Sequence, residues 1–153
     1  MLTQTIERTT LAHLIHNEDY CRKVIPFIKP LYFSNRDERI VFEEIEKFLE
    51  KYNALPTQET LTIGVDSRKD LTDDEYKKIV ELISSLEKTE VDLQWLHDET
   101  EKFCKDKAIY NAVLDGIKII DGKDKNRTPE AIPTILSDAL AVSFDLTVAV
   151  SYT

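Results

Sequence analysis

The most regular hydrophobic pattern lies in the last third of the chain. Apolar side chains recur every three to four residues from Asp92 to Gly122, and again from Thr128 to Phe144 after a short polar turn. This spacing is typical of amphipathic helices, and a first stretch of roughly 30 residues would form a helix about 45 Å long. We therefore predict a long antiparallel helical hairpin. Its hydrophobic stripe is too long for two helices to cover alone, which favours an assembly role.

Two glycines lie within or at the end of the longer predicted helix. Gly116 lies inside it, where glycine costs about 1 kcal/mol against alanine, so we expect a bend or fraying near the end of the helix. Gly122 is the predicted stop. The stripe on this helix carries Leu96, Phe103, Tyr110, Leu114 and Ile117. The side chains that we expect to form an oligomer or partner interface are Tyr110, Leu114, Ile117, Ile132, Leu136 and Leu140.

Residues 1–88 show shorter helical patterns that can close a small helical head. The segment Thr72-Asp73-Asp74-Glu75 has the form of a capping box, a common helix start. We expect residues 1–88 to form the head, residues 92–144 the hairpin, and residues 145–153 a tail or the start of a linker. The predicted helices of the head run from about Thr3 to His16, from Asn17 to Pro30, from Ser34 or Asn35 to Tyr52, from Thr57 past Val65, and from Thr72 to Leu86.

The core of the head should come from a few apolar stripes. The strongest lies on the third helix and carries Val41, Ile45, Phe48, Leu49 and Tyr52. A compact apolar cluster of Leu31, Tyr32 and Phe33 precedes it.

Composition narrows the fold class and the partners. Apolar residues make up 42% of the chain, charged residues 32%, and there are only three glycines, which favours an all-α fold. The net charge of −9 argues against direct binding of a phosphate backbone, because such binding depends on clustered lysine and arginine. We expect DNA contact only through another part of an assembly.

Cysteine usage and hydropathy suggest a cytoplasmic setting. Cys21 and Cys104 lie far apart, and we expect both to be buried, unreactive thiols rather than a disulfide. No apolar run approaches the ~18 residues needed to span a bilayer, so no membrane partner is expected.

Residues that could carry chemistry are few. None of the glycines lies in a phosphate-binding loop, which would be followed by lysine and a hydroxyl residue, so the chain lacks an ATP-binding motif. His13 and His16 could share a helix face as metal ligands, but two histidines alone favour a polar helix end. His97 lies near Asp98, Glu99 and Glu101, a pattern that could indicate acid–base chemistry but is equally typical of a solvated helix face. We name no catalytic, cofactor-binding or metal-binding residue.

Two groups of segments resemble the N-terminal domain of DnaB-type replicative DNA helicases, most strongly the form in T-even-type phages. The first group comprises residues 11–15, 20–24, 31–33 and 40–45, and the second residues 99–103, 131–133 and 139–145. In that family the domain is a helical head joined to a helical hairpin, and hairpins of neighbouring subunits pair in the collar of a ring-shaped hexamer.

The resemblance implies a noncatalytic module that mediates oligomerisation, as a dimer of hairpins or a hexamer, and docks primase or a helicase loader. ATP-driven unwinding would belong to a motor domain of the parent protein, which this chain ends before. In a phage, the protein would work in the host cytoplasm.

Two other hypotheses remain open from the sequence. The chain could be a free-standing helical adaptor or regulator of a replication complex. The coding region after Thr153 separates this hypothesis from the first, because a phosphate-binding loop in frame favours the helicase and a stop codon the adaptor. A small metal-dependent enzyme using His13 and His16 is the third hypothesis, and elemental analysis would test it.

Overall fold

The computed structural model describes residues 5–144, and every regular element in that range is helical. The predicted all-α fold, with a helical head followed by a long antiparallel hairpin, is confirmed. The predicted tail at residues 145–153, and the predicted helix start at Thr3, lie outside the described residues. The helices are α1 (Ile6–His16), α2 (Glu18–Val24), α3 (Arg36–Tyr52), α4 (Gln58–Asp66), α5 (Asp73–Ser85), α6 (Leu93–Ile120) and α7 (Ile132–Leu140), with 3-10 turns at Ile25–Phe27, Pro30–Tyr32 and Pro129–Ala131.

The chain forms two compact units that divide between Thr100 and Glu101, inside α6. We call the part up to Thr100 the N-terminal unit and the part from Glu101 the hairpin unit. The functional domain boundaries proposed from the sequence, at residues 88 and 92, stay a prediction.

Side-chain caps begin the helices of the N-terminal unit. The predicted capping box is present, since Thr72 Oγ1 accepts from the Glu75 N–H at 3.2 Å and Glu75 Oε1 accepts from the Thr72 N–H at 3.0 Å. A second box joins Thr57 and Thr60 at the start of α4. Because a cap stabilises a helix by about 1 kcal/mol, it helps α4 to form despite its threonines and glycine. The capping side chains are Thr5, Asn17, Asn35, Thr57 and Thr72.

The core of the N-terminal unit forms mainly where α1, α3, α4 and α5 meet. Phe33 and Phe42 are fully buried, and their ring centroids lie 5.1 Å apart. The predicted stripe on α3 is only partly covered. Val41 and Ile45 are fully buried, whereas Tyr52 is exposed. The other fully buried large side chains of this unit are Leu11, Leu14, Val24, Leu61, Ile79, Ile83, Leu86 and Leu96.

The predicted cluster of Leu31, Tyr32 and Phe33 needs a correction. Tyr32 and Phe33 are buried, but Leu31 is 69% exposed. The three residues do not share a face because Pro30–Tyr32 is a 3-10 turn, in which neighbouring side chains point about 120° apart.

A buried polar chain fixes the start of α6 to α2 within the N-terminal unit. The Thr100 hydroxyl donates to the Leu96 carbonyl at 2.7 Å, and the Tyr20 hydroxyl lies 2.6 Å from Thr100 Oγ1. Since the Thr100 proton is already used, Tyr20 is the donor of the second bond. The buried hydroxyls of Tyr20 and Thr100 are therefore both hydrogen-bonded, as burial of polar groups requires.

The two arms of the hairpin unit contact each other near both of its ends. Near the turn, a Cβ built on Gly116 of α6 would lie 3.7 Å from Ile132 Cγ2 of α7. At the other end, Glu101 Oε2 accepts from the Phe144 backbone N–H at 2.7 Å and from the Ser143 hydroxyl at 3.3 Å. Residues 116 and 132 are therefore neighbours, and so are residues 101 and 144. This pairing is antiparallel, as predicted.

The end of α6 has the geometry of a Schellman motif. Gly122 has a φ of +75°, its N–H donates to the Ile119 carbonyl at 3.1 Å, and the Lys123 N–H donates to the Lys118 carbonyl at 2.9 Å. Gly122 is thus the predicted stop, because glycine adopts positive φ at little cost.

The two glycines of the hairpin unit should respond to alanine with opposite signs. Gly116→Ala is expected to raise the free energy of unfolding by roughly 0.5–1 kcal/mol, because it adds an ordinary contact and removes backbone freedom from the unfolded chain. Gly122→Ala is expected to lower it by about 1 kcal/mol, because a side chain is strained at positive φ. Thermal unfolding followed by circular dichroism measures both. Equal effects of the two changes would contradict this assignment.

Candidate functional site

The exposed face of α6 in the hairpin unit carries a continuous row of large apolar side chains. These side chains recur at intervals of three and four residues, which places them on one side of the helix. Their exposed fractions are between 39% and 70%. We call this row the α6 stripe; it comprises Tyr110, Val113, Leu114, Ile117 and Ile120.

A buried face of α6 adjoins the α6 stripe. Ala112, Gly116 and Ile119 are buried, and Gly116 lies against Ile132 of α7. At 100° per residue, Ala112 lies on the side of the helix opposite Tyr110 and Ile117. α6 therefore has a buried face as well as the exposed α6 stripe, and α7 contacts the buried face at Gly116.

Some of the predicted interface residues are exposed, and others are half-buried between α6 and α7. Tyr110, Leu114 and Ile117 belong to the α6 stripe, and Leu140 of α7 is 61% exposed. Ile132 and Leu136 are half-buried, because they lie on the side of α7 nearer α6. The interface role of all six residues stays a prediction.

Val113 and Ile120 belong to the α6 stripe but were missed in the sequence. Their spacing from Tyr110, at three and ten residues, is the signal that identifies them. The single stripe predicted through Leu96 and Phe103, which are both buried, does not include them.

Ion pairs fix the turn between α6 and α7. Arg127 Nε donates to Asp124 Oδ2 at 2.7 Å, and the Asp124 carboxylate also accepts from the Asn126 backbone N–H at 2.9 Å. These bonds, first of all the one from Arg127, lower the pKa of Asp124 from its usual value. The carboxylate therefore stays charged, and the turn remains polar next to the apolar end of the stripe.

Both candidate metal ligands bond to residues after α5. His16 Nε2 donates to the Leu86 carbonyl at 2.8 Å, and His13 Nε2 lies 3.3 Å from Thr89 Oγ1. Each ring thus attaches α1 to the segment that follows α5. Within residues 5–144, no group of three or more His, Cys, Asp or Glu side chains is placed to hold a metal ion.

Burial, and secondarily the charge of His16, lowers the pKa of His13. The folded chain therefore binds this proton less readily than the unfolded chain. The stabilisation that results is complete above the ordinary histidine pKa of about 6.5 and is lost as the pH falls from there toward the folded pKa. We expect the free energy of unfolding to decrease over this range, as measured by urea titrations at a series of pH values.

The matched variant for this pH dependence is His13→Gln, which keeps a polar side chain but does not titrate. The difference between the two proteins isolates His13 from the nearby His16, Lys88 and Glu90. It also isolates His13 from Glu38, whose pKa burial raises. If both proteins show the same pH profile, His13 does not contribute.

The two cysteines are unreactive, and His97 and Glu101 belong to different units. Cys21 and Cys104 are free and fully buried, and burial raises their thiol pKa values to about 11 and about 12, so both are protonated near neutral pH. His97 Nδ1 lies 3.7 Å from Asp98 in the N-terminal unit. Glu101 instead holds the end of the hairpin unit through Phe144.

No described helix is long and apolar enough to cross a membrane.

Comparison with known proteins places the chain in a family. It is 32% identical, over 143 residues and 88% of its own length, to the DnaB-like replicative helicase of Enterobacteria phage T4. This chain is a relative of the DnaB-like replicative helicases. The resemblance seen in the sequence is therefore confirmed. The chain spans 30% of the length of the phage T4 helicase. No family model matches it.

Proposed function

We propose that this chain is the N-terminal collar domain of a hexameric replicative DNA helicase. In this role it mediates oligomerisation through the hairpin unit and docks primase or a helicase loader. It is noncatalytic by itself, and the parent protein carries out ATP-dependent unwinding in the cytoplasm of the host cell.

The observation that carries the proposal is the α6 stripe. Contiguous apolar patches on a monomer mark interaction surfaces, because exposing them to water is unfavourable. The stripe also has the spacing of a helix–helix seam. If Tyr110 and Ile117 take the a positions of a heptad, Val113 and Ile120 take the d positions. A second helix with the same stripe would fit this seam.

A second copy of the chain provides such a helix. In a two-fold interface the same patch occurs on both partners, so an apolar stripe meets an apolar stripe without unpaired polar groups. The a and d pattern continues for only about one and a half heptads on the exposed part of α6. We therefore expect the pair to be weak in isolation and to be reinforced by the rest of a hexamer.

The proposal assigns structural roles to His13, His16 and the two cysteines. The two histidines bond to Leu86 and Thr89, and both thiols are buried. The net charge of −9 opposes direct contact with DNA. In the proposed assembly, the motor domain supplies the surface that binds DNA.

Sedimentation velocity over a range of protein concentrations tests the oligomerisation role. We expect the average mass to rise from one chain toward two or more as the concentration increases into the high micromolar range. A constant mass of 17.7 kDa up to millimolar concentration would contradict self-association by this domain.

The docking role needs a separate measurement. Purified primase and purified helicase loader from the same genome would each be titrated into the labelled chain and followed by fluorescence anisotropy. Saturable binding of either protein supports the docking role. Absence of binding by both would contradict it while leaving the oligomerisation role intact.

A further inference from the structure

A second apolar surface lies in the N-terminal unit, between α3 and α4. It is an open groove of about 420 Å³. Its apolar lining includes Phe48 and Tyr52 from α3, whose ring centroids lie 4.7 Å apart, and Leu61 and Ile63 from α4. Ile63 is 61% exposed and Tyr52 is 57% exposed, so these side chains remain largely in contact with water.

The groove depends on the glycine at the middle of α4. A Cβ on Gly64 would lie 2.6 Å from Glu44 Oε1, so any other residue would force the Glu44 carboxylate to move. That carboxylate is buried and accepts bonds from Lys47 Nζ at 2.9 Å and from an Arg68 guanidinium nitrogen at 3.0 Å. Glycine inside a helix is unfavourable. Here it leaves room for the buried Glu44 carboxylate.

The charged rim of the groove is positive although the whole chain is acidic. Only Glu44, Lys47 and Lys51 contribute charged side chains to the lining, and Glu44 is buried and bonded to two cations. Lys47 and Lys51 are exposed and lie four residues apart on α3, so they project from the same side of the helix. A partner therefore meets an apolar surface bordered by two lysines, in a protein whose net charge is −9.

We propose that this groove binds an amphipathic helix of another protein, with apolar residues on one face and acidic residues beside it. The apolar residues would cover Ile63 and Phe48, as in other complexes of a helix in a hydrophobic groove. Glutamates spaced four residues apart on the ligand would match Lys47 and Lys51. The proposal rests on the docking role proposed above, but it uses a surface separate from the α6 stripe.

A synthetic peptide tests the proposal without knowledge of the natural partner. The probe is a labelled 16-residue helical peptide with leucine and phenylalanine on one face and glutamate at i, i+4 positions beside it. We expect saturable binding in the micromolar range by fluorescence anisotropy. A sister peptide with lysine in place of glutamate is expected to bind at least about ten-fold more weakly, which corresponds to about 1.4 kcal/mol.

Variants of the chain locate the binding site. Ile63→Glu is expected to weaken binding of the acidic peptide by about ten-fold or more, because Ile63 is an exposed apolar side chain of the lining and a carboxylate there would repel the acidic peptide. Lys51→Glu is expected to weaken it by about three- to ten-fold through charge repulsion. Both side chains are exposed, so the variants should stay folded by circular dichroism. Lys77→Glu is the matched control, since this exposed lysine of α5 does not line the groove, and we expect no change in affinity.

Several results would overturn the proposal. These are no binding of the acidic peptide, equal binding of both peptides, or an affinity that Ile63→Glu leaves unchanged. Loss of self-association in Ile63→Glu would show instead that the groove holds a second copy of the chain. Ile117→Glu separates the two surfaces, because it should abolish self-association and leave peptide binding intact. Failure of the stripe hypothesis is thus distinguishable from failure of the groove hypothesis.

Discussion

Replacing Ile117 with glutamate is expected to abolish self-association of the chain. We expect the dissociation constant to rise by about 100-fold or more, because the substitution places an unpaired carboxylate in an apolar contact, at a cost of several kcal/mol. Ile117 is half exposed at the centre of the α6 stripe. The same change occurs twice in a two-fold interface, so its effect is doubled.

The measurement is sedimentation velocity at concentrations where the unmodified chain is mostly associated. The matched control is Ser137→Glu, which adds the same charge to the hairpin unit at an exposed position of α7. We expect this control to associate like the unmodified chain. Circular dichroism must show that both variants retain their helices, because a folding defect also reduces association.

Two outcomes would contradict the stripe as the interface. In the first, Ile117→Glu associates as strongly as the unmodified chain. In the second, Ser137→Glu weakens association equally, which would indicate a general effect of negative charge on an acidic protein.

Replacing Phe42 with alanine is expected to destabilise the N-terminal unit by about 3–5 kcal/mol. Phe42 is fully buried, and its ring packs against the equally buried Phe33. The loss combines the transfer free energy of the removed atoms with the cavity that the smaller side chain leaves. Since small domains have a total stability of about 5–15 kcal/mol, this single change is expected to bring the unit close to unfolding.

Urea denaturation followed by circular dichroism measures this effect. Phe42→Leu keeps most of the volume and is expected to cost less than half as much. Leu31→Ala is the surface control, because Leu31 is 69% exposed and surface changes usually stay within about 0.5 kcal/mol. A similar loss for Phe42→Ala and Leu31→Ala would show that the core does not lie where the structure places it.

Much of the helical architecture is encoded locally. Helix starts at Asn17, at Ser34 or Asn35, at Thr57 and at Thr72 are predicted by the sequence, because Ser, Asn and Thr side chains satisfy backbone N–H groups within three residues, and the structure places the third cap on Asn35. The stop at Gly122 is equally local, since it depends on the φ that one residue can adopt. The start of α7 was predicted less well. Thr128 begins a 3-10 turn, and α7 is the shorter span Ile132–Leu140.

Local sequence does not determine which helix faces are buried. The stripe followed through Leu96, Phe103, Tyr110 and Ile117 obeys a helical period along its whole length, yet its first two residues are buried and its last two exposed. Periodicity shows that residues share a side of a helix. It does not show which part of that side another element covers.

The groove depends still more on the tertiary fold. The local sequence around Gly64 does not reveal its role, because that role requires Glu44, which lies twenty residues away. Tyr52 belongs to the apolar stripe of α3 that predicts the core, yet it lines the open groove and is 57% exposed.

The sequence by itself therefore determined the helices, their caps, the all-α class and the family, because these depend on residues within a few positions or on the order of matching segments. Only the tertiary structure decided which apolar faces stay in contact with water, namely the α6 stripe and the groove beside Gly64. The physical reason is that hydrophobic burial is a property of contacts between distant segments. A local pattern specifies which side chains share a surface, and packing between elements decides whether that surface is covered.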